Sequence, residues 1–459
     1  MKTFSINTLG CKVNQYESQQ IRELLEQLGL HKVIPPEQPD LVVINTCCVT
    51  HTASAKSRQY LGRARKQNPN TPVIVSGCLP TVQTGELGVP AENVHLIANR
   101  IDLGPILSQI AGRNTASSVP QKAQSCPDST IRTKNGSEIK HKSDVNNQSM
   151  LPPLTSFKGH TRAFLKVQDG CDGYCSYCIV PKARPFVHSK PADEALREAQ
   201  ILVESGHREI VLTGIFLGAY GRQTVRRKNW PDQRNDDLAD LLDKMAEIPN
   251  MGRIRLSSLE PADVTPRLIE TLCRHRNIMP HLHLPLQSGS DNILKKMCRQ
   301  YRVSQFREKV DLLKSRLDRP AITTDIIVGF PGETDADFEQ TVELAREVGF
   351  AKMHVFSFSP RKGTAASGME GAVDSKVVRQ RSEILHDLNI QLGLEYRRQF
   401  IGETAEILLE SENGRICGRS ERYFMVHLKN SDKRLKKNHF VKAKLIENRE
   451  DGMTGVPLC

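Results

Sequence analysis

Cys171, Cys175 and Cys178 stand in the string Gly-Cys-Asp-Gly-Tyr-Cys-Ser-Tyr-Cys, a Cys-x3-Cys-x2-Cys array with no fourth Cys or His close behind. A structural zinc site needs four ligands, usually supplied as two short-spaced pairs. Three thiolates in one short loop suit instead an iron–sulfur cubane that keeps one iron open for another ligand. Gly170 and Gly173 carry no Cβ, so the backbone there can wrap closely around an inorganic cluster. Zinc and a disulfide are the competing readings of the string.

The chain around this loop is long and soluble in character. Its 459 residues exceed one compact core, so two or three domains are expected. With 38% hydrophobic and 25% charged residues the composition is that of an ordinary globular protein. The first ten residues lack the charged, apolar and cleavage regions of a signal peptide, and no apolar run is long enough to span a bilayer. A cytoplasmic protein is therefore expected, and in that reducing compartment clustered cysteines point to metal or catalysis rather than to disulfides. The net charge of +12 is compatible with a nucleic-acid partner, because basic side chains that release phosphate counterions supply much of that affinity. The charge is also uneven: Arg415, Arg419, Arg422, Lys429, Lys433, Arg434, Lys436, Lys437, Lys442, Lys444 and Arg449 crowd the C-terminal segment. Arg222, Arg226, Arg227 and Lys228 form a second basic patch in a polar loop.

Along the first hundred residues, short β-branched runs at 4–8, 41–45 and 73–76 alternate with helical periodicity at 15–28 and 53–67. This β-α-β-α-β order predicts an open, flavodoxin-like parallel sheet. A cysteine follows each strand: Cys11, Cys47 and Cys78. The carboxyl ends of parallel strands lie along one edge, where ligands bind, so the three thiols are expected to converge on a second metal site. Cys48 is a competing ligand beside Cys47. Residues 114–156 are rich in Ser, Thr, Asn, Gln, Lys and Pro without apolar period, which reads as a flexible linker with Cys126 as a bystander. From residue 162 the alternation resumes, with strands expected at 163–168, 209–213, 254–257, 281–286, 322–328 and 353–358. Helices are expected between them at 192–205, 236–248, 264–274, 304–316 and 335–348. Six such units predict a partial (β/α)6 barrel with its site at the strand carboxyl ends, where the Cys171–Cys178 loop falls. After a helical stretch at 376–400, short strands at 405–409, 423–428 and 441–446 predict a small basic antiparallel β-barrel of oligonucleotide-binding style. The expected division is 1–113, a linker at 114–156, a core at 157–390 and the barrel at 396–457.

A cubane with an open iron would chelate the amino and carboxylate groups of S-adenosylmethionine, whose one-electron cleavage yields a 5′-deoxyadenosyl radical. Tyr177, next to the last cysteine, would shield the cluster. Thr213-Gly214, Ser258, Glu260, Gln287 and Asp325 lie at expected strand ends and would bind the rest of the cofactor. Each has a plainer reading as a turn glycine, a solvated carboxylate or a supporting charge. His281 and His283 alternate along one strand and so share a face; hydrogen bonding inside the barrel is expected there rather than a zinc pair. Cys273, Cys298, Cys417 and Cys459 have no partner at ligand spacing and read as structural.

With Thr-Leu-Gly-Cys11-Lys-Val-Asn-Gln-Tyr-Glu-Ser, Asn-Thr-Cys47, Ser-Gly-Cys78, Gln168-Asp169-Gly170-Cys171 and Leu217-Gly218-Ala219-Tyr220-Gly221, the chain resembles the radical S-adenosylmethionine methylthiotransferases along nearly its whole length. The subgroup it matches acts on N6-threonylcarbamoyladenosine at tRNA position 37. That resemblance implies two 4Fe–4S clusters, an auxiliary one on Cys11, Cys47 and Cys78 and the radical one on Cys171, Cys175 and Cys178. It also implies sulfur delivered through the auxiliary cluster to C2 of the adenine, a tRNA anticodon stem-loop as partner, and an electron donor such as flavodoxin or ferredoxin. The chain departs from the family pattern at Phe216 and across residues 183–190, while all six cysteines are intact. Isopentenyladenosine-37 or a ribosomal-protein aspartate are the alternative targets, and a non-catalytic zinc-containing RNA-binding protein is the alternative of another class.

Overall fold

The computed structural model describes residues 1–34, 36–67, 69–82, 92–111, 151–227, 236–412, 415–429 and 435–458. Most of the expected linker, together with Cys126, Lys228, Lys433, Arg434 and Cys459, lies outside them. The first unit is a parallel five-stranded sheet in the order β2-β1-β3-β4-β5. Its strands are β1 (Thr3–Thr8), β2 (His31–Lys32), β3 (Leu41–Thr46), β4 (Val73–Gly77) and β5 (Val94–Leu96), flanked by α1 (Lys12–Gln27), α2 (His51–Gln67), α3 (Cys78–Val82) and α4 (Leu103–Ala111). β3 and β4 are buried throughout, as parallel strands covered on both faces must be. The two edge strands are only two and three residues long, too short to show a period in the sequence.

The core follows as β6 (Ala163–Lys166), a small β7–β8 ribbon (Gln168–Asp169 and His188–Ser189) around α5 (Val180–Ala183), and then alternating helices and strands. These are α6 (Ala192–Glu204), β9 (Glu209–Thr213), α7 (Asp237–Ala246), β10 (Arg253–Leu256), α8 (Pro266–Arg274), β11 (His281–His283), α9 (Asp291–Lys296), α10 (Val303–Arg316), β12 (Ala321–Val328), α11 (Asp335–Val348) and β13 (Lys352–Ser357). Six parallel strands run β6-β9-β10-β11-β12-β13, with β10 and β11 joined only by the bridges Ile254–Ile278 and Ser258–His283. The result is the expected partial barrel, open along one side. The 24-residue α12 (Ser375–Arg398) leads to a closed barrel of β14 (Thr404–Glu412), β15 (Arg415–Arg419), β16 (Met425–Leu428), β17 (Phe440–Arg449) and β18 (Gly452–Pro457). β15 and β18 were not expected; Gly418, Gly452 and Gly455 dilute their β signal.

Packing between the core and the C-terminal barrel uses buried charge. On β10, Ile254 and Leu256 join the main apolar core, while Arg253 and Arg255 on the opposite face are almost fully buried against the C-terminal barrel. Arg253 donates to the carbonyls of Arg419 and Glu406, and Arg255 to those of Ser420 and Glu421. The end of the expected linker is likewise fixed. Leu154 and Phe157 are fully buried, and the Glu23 carboxylate accepts the Thr155 and Ser156 N–H groups.

The tightest junction joins α1 to the core. The Arg184 guanidinium reaches Glu17 at 2.8 Å, Asp169 at 2.7 Å and Asn14 Oδ1 at 3.2 Å, with its side chain only 2% exposed. Lys166 adds contacts to Asp169 and Glu17. Burial alone would raise the Glu17 pKa, but Arg184, Lys166 and Arg100 outweigh it and hold the carboxyl at about 2. Removing one member of such a pair strands the other charge in the interior. Arg184→Met is therefore expected to cost about 3–5 kcal/mol at neutral pH in urea unfolding. A carboxyl depressed in the folded state contributes stability above its unfolded pKa, and loses it as pH falls through the folded value. The gap between wild type and Arg184→Met should thus narrow from pH 4.5 downward; a pH-independent gap would show that the ion pair is not its source.

Candidate metal centres and active-site cavity

The loop after β7 is shaped by two constraints. Gly170 has φ +80°, and a Cβ there would lie 1.8 Å from the Phe186 carbonyl oxygen. The Cys171 N–H donates to the Arg184 carbonyl at 2.9 Å, and Cys178 N–H to Cys175 at 3.0 Å, which closes the three thiols into one turn. Two donors face their sulfurs: Gly173 N–H on Cys171 Sγ at 3.4 Å and Arg299 Nη1 on Cys175 Sγ at 3.1 Å. Burial pushes the Cys171 thiol up to about 11 and Cys178 to about 12, so an electropositive group must compensate three thiolates. An iron cluster with cationic and backbone donors around its ligands fits this set.

The second centre sits at the carboxyl edge of the first sheet, where β1, β3 and β4 are neighbours. Cys11 occupies the N-cap of α1 in extended conformation and makes no side-chain cap, so its sulfur is left available where Ser or Asp would be consumed by capping. Cys47 follows β3 and Cys78 opens α3. Gly10 is pressed against Cys47, where a Cβ would lie 2.8 Å from the cysteine Cβ, and Gly77 has φ +93° against Thr46. Asn14 ties the edge together, its amide donating to the Leu9 and Thr46 carbonyls at 2.8 and 2.9 Å. Arg100 donates to Cys78 Sγ at 3.5 Å and to the Ala183 carbonyl at 3.1 Å. Cys78 is held below the ordinary thiol value by a hydrogen bond from Cys48, with Arg184 and Arg100 adding to it. Burial pushes Cys47 up to about 12. Three thiols with two nearby guanidinium groups again fit a cluster. Cys48 is fully buried among Val42, Ile44 and Leu61, with its thiol hydrogen-bonded to that of Cys78.

The candidate cofactor residues separate into four places. Tyr177 packs with Ile293, Met297 and Phe330, and its hydroxyl takes a 3.4 Å contact from Arg299, which also pairs with Glu260. Thr213 is buried at the end of β9, and Gly214 is pressed against Gln168. Gln287 has φ +66° and is bonded through its backbone to Asp325 and Ile327. Ser258 and Asp325 line a cavity of about 850 Å³ formed by strand ends β10–β13, α12 and the C-terminal barrel. There His283 bridges Asp325 Oδ2 at 3.3 Å and Thr323 Oγ1 at 3.0 Å, the expected hydrogen-bonding role. His281 does not share it: its ring stacks on Tyr423 with centroids 4.7 Å apart. The histidine whose ligand atoms approach those of His283 and Asp325 is His354. Arg299, Arg100 and Asn14 carry no role legible in the sequence, because they reach partners between 5 and 170 residues away that stand at no regular spacing from them.

The basic surface also differs from its sequence pattern. Lys429, Lys436, Lys437, Lys442, Lys444 and Arg449 are exposed on the C-terminal barrel, whereas Arg422 turns to Asp318 and Phe400. Arg227 is buried against Asp263 and Arg226 stacks on Tyr174 while pairing with Asp172, so these two members of the second patch are anchors.

Six parallel strands carrying a three-cysteine loop at their carboxyl edge define the class of radical S-adenosylmethionine enzymes. The Radical SAM superfamily matches residues 165–345, and the Uncharacterized protein family UPF0004 matches residues 3–99. The chain is 35% identical to threonylcarbamoyladenosine tRNA methylthiotransferase MtaB of Bacillus subtilis, over 97% of this chain and 94% of that protein. It is 36% identical to the Thermotoga maritima protein of the same name over 89% and 87%. Identity to tRNA-2-methylthio-N(6)-dimethylallyladenosine synthase of Pelotomaculum thermopropionicum is 32% over 91% and 89%. Among solved structures, the radical methyltransferase TsrM of Kitasatospora setae aligns with TM-score 0.53 at 13% identity, over 80% of this chain and 74% of that one, which is a likeness of fold. This chain belongs to the radical S-adenosylmethionine tRNA methylthiotransferases.

Because the Cys48 side chain is enclosed by apolar residues, Cys48→Ala is expected to retain the full iron content of anaerobically reconstituted protein. Cys11→Ala, Cys47→Ala and Cys78→Ala should each lose about half of roughly eight irons per chain. Equal loss in Cys48→Ala and retention in Cys47→Ala would exchange their roles.

Proposed function

We infer that this chain transfers a methylthio group to C2 of N6-threonylcarbamoyladenosine at position 37 of tRNA. One observation carries the reading: in a chain of this family, the thiols of Cys11, Cys47 and Cys78 converge at a sheet edge whose next residue, Lys12, lines the cavity inside the barrel that bears the Cys171 loop. Cys171, Cys175 and Cys178 would hold the radical 4Fe–4S cluster, and Cys11, Cys47 and Cys78 the auxiliary one. Bound there, the clusters would supply the electron for reductive sulfonium cleavage and the sulfur, and S-adenosylmethionine would supply the methyl group. A flavodoxin or ferredoxin would supply the electron.

The chain's own residues position these parts. Arg299 donates to Cys175 and pairs with Glu260 beside the Tyr177 hydroxyl, so the Glu260 carboxylate would be available next to the cluster loop for the ribose or methionine part of the cofactor. Thr213, Gly214, Ser258, Gln287 and Asp325, on or just after β9, β10, β11 and β12, would complete the cofactor site in this reading. Arg184 accepts the Cys171 N–H through its carbonyl while its guanidinium holds Asn14 behind Cys11, so one residue spaces the two cysteine sets. An anticodon loop can present an unpaired base to the cavity. The exposed lysines of the C-terminal barrel would meet phosphates of its stem.

Nucleosides of tRNA from a strain lacking this gene should show loss of 2-methylthio-N6-threonylcarbamoyladenosine, with its unmodified precursor accumulating and 2-methylthio-isopentenyladenosine unchanged. An unchanged first peak would end the reading. Complementation by Cys171→Ala should fail with no cofactor cleavage, whereas Cys47→Ala should retain cleavage and lose sulfur insertion. Zinc without iron in the purified protein would favour a structural RNA-binding role instead. Replacing Lys442 and Lys444 by Gln should weaken binding of all tRNAs alike, and lower the slope of log affinity against log salt by about 2.

A further inference from the structure

The cavity beneath the C-terminal barrel has an electrostatic character that methylthiolation alone does not require. Lys12 follows Cys11 at the start of α1, is half-buried, and takes part in no ion pair or hydrogen bond through its ammonium group among the described residues. Arg419, at the end of β15, has a buried Nε without a partner; its Nη1 donates to the Tyr423 carbonyl at 3.1 Å, and its guanidinium lies 4.7 Å over the Tyr423 ring. Tyr423 itself has φ +73°, a conformation unusual for a bulky side chain, and stacks on His281 of the barrel wall. Burial would raise its phenol pKa, but Arg162, Arg419, Lys12 and Arg255 hold it below the ordinary value. His281 is kept neutral by burial, with Arg255, His283, Lys12 and Arg419 opposing its protonation. Three carboxylates also line the cavity: Asp325 on β12, paired with His283, and the exposed Glu450 and Asp451 in the turn between β17 and β18, where Asp451 pairs with His427 and Arg449. Buried polar atoms also wait in the wall: Ser257 Oγ and His281 Nδ1 have no hydrogen-bond partner. A cavity with unneutralised cations and unfilled polar groups is built for an anionic, hydrogen-bonding ligand.

Resting on the function inferred above, we propose that Lys12 and Arg419 bind the carboxylate of the N6-threonylcarbamoyl group and so select the target nucleotide. C2 and C6 of adenine are separated by one ring nitrogen, so anchoring the N6 substituent also fixes where C2 lies. An isopentenyl group offers these cations nothing and would leave them desolvated without a partner, which is discrimination by an unmet charge.

The test uses the full-length enzyme with both clusters reconstituted, compared at matched iron content. Two anticodon stem-loop RNAs serve as substrates, one with N6-threonylcarbamoyladenosine and one with its carboxamide, which is neutral and of the same shape. Wild type should prefer the acid by on the order of 30-fold in kcat/KM. Lys12→Met and Arg419→Gln should each reduce that preference to about threefold or less, chiefly through KM, and Lys12→Arg and Arg419→Lys should restore part of it. Arg419 belongs to the C-terminal barrel rather than to the sheet that carries Cys11, Cys47 and Cys78, so its variant tests the idea even where Lys12→Met disturbs the auxiliary centre. A wild type indifferent to the carboxamide, or variants that keep the full preference, would overturn the proposal and leave the function standing. Failure of wild type on both RNAs would overturn the function, and this proposal with it.

Discussion

The Arg184 guanidinium is the contact on which the two cysteine sets depend for their relation to one another. It is buried between Glu17 and Asp169, reaches Asn14, and offers its own carbonyl to the Cys171 N–H. Asn14 in turn holds the backbone at Leu9 and Thr46, just ahead of Cys11 and Cys47. An arginine fork between two carboxylates fixes orientation as well as distance, which a hydrophobic contact does not. The desolvation cost of burying these charges is offset only when all partners are present. The junction is therefore rigid in register and sensitive to loss of any member, a suitable property where two reactive centres must share one substrate.

The C-terminal barrel has two electrostatic faces. Lys436, Lys437, Lys442 and Lys444 are exposed on its outside, while Arg419 and Tyr423 face the core cavity and the backbone at Arg419, Ser420 and Glu421 receives Arg253 and Arg255 from β10. Alternation along β10 makes this docking possible, since the same strand sends Ile254 and Leu256 into the apolar core. The barrel thus closes the lumen as well as extending the basic surface.

Much of the architecture was legible in the sequence, because parallel strands buried on both faces are continuous β-branched runs and the helices between them keep a 3.6-residue period. The second and fifth strands of the first sheet, and two of the five strands of the C-terminal barrel, were not, being too short or too glycine-rich to carry a period. Cys11, Cys47 and Cys78 could be placed at one edge because strand order and the edge rule together dictate it. Their neighbours could not: Arg100 and Arg184 reach these centres from loops that have no spacing relation to the cysteines.

The sequence by itself determined the reaction class, through six cysteines whose spacing and positions after strands are local facts. It also determined that the chain is basic, but not which basic residues are free. Only the tertiary structure decided that Arg226 and Arg227 are consumed by Asp172 and Asp263, that Arg253 and Arg255 are interior anchors, and that Lys12 is left in the cavity without a counter-ion among the described residues. The reason is physical: a charge's role is set by what lies within a few ångströms of it, and in this fold those partners come from distant parts of the chain.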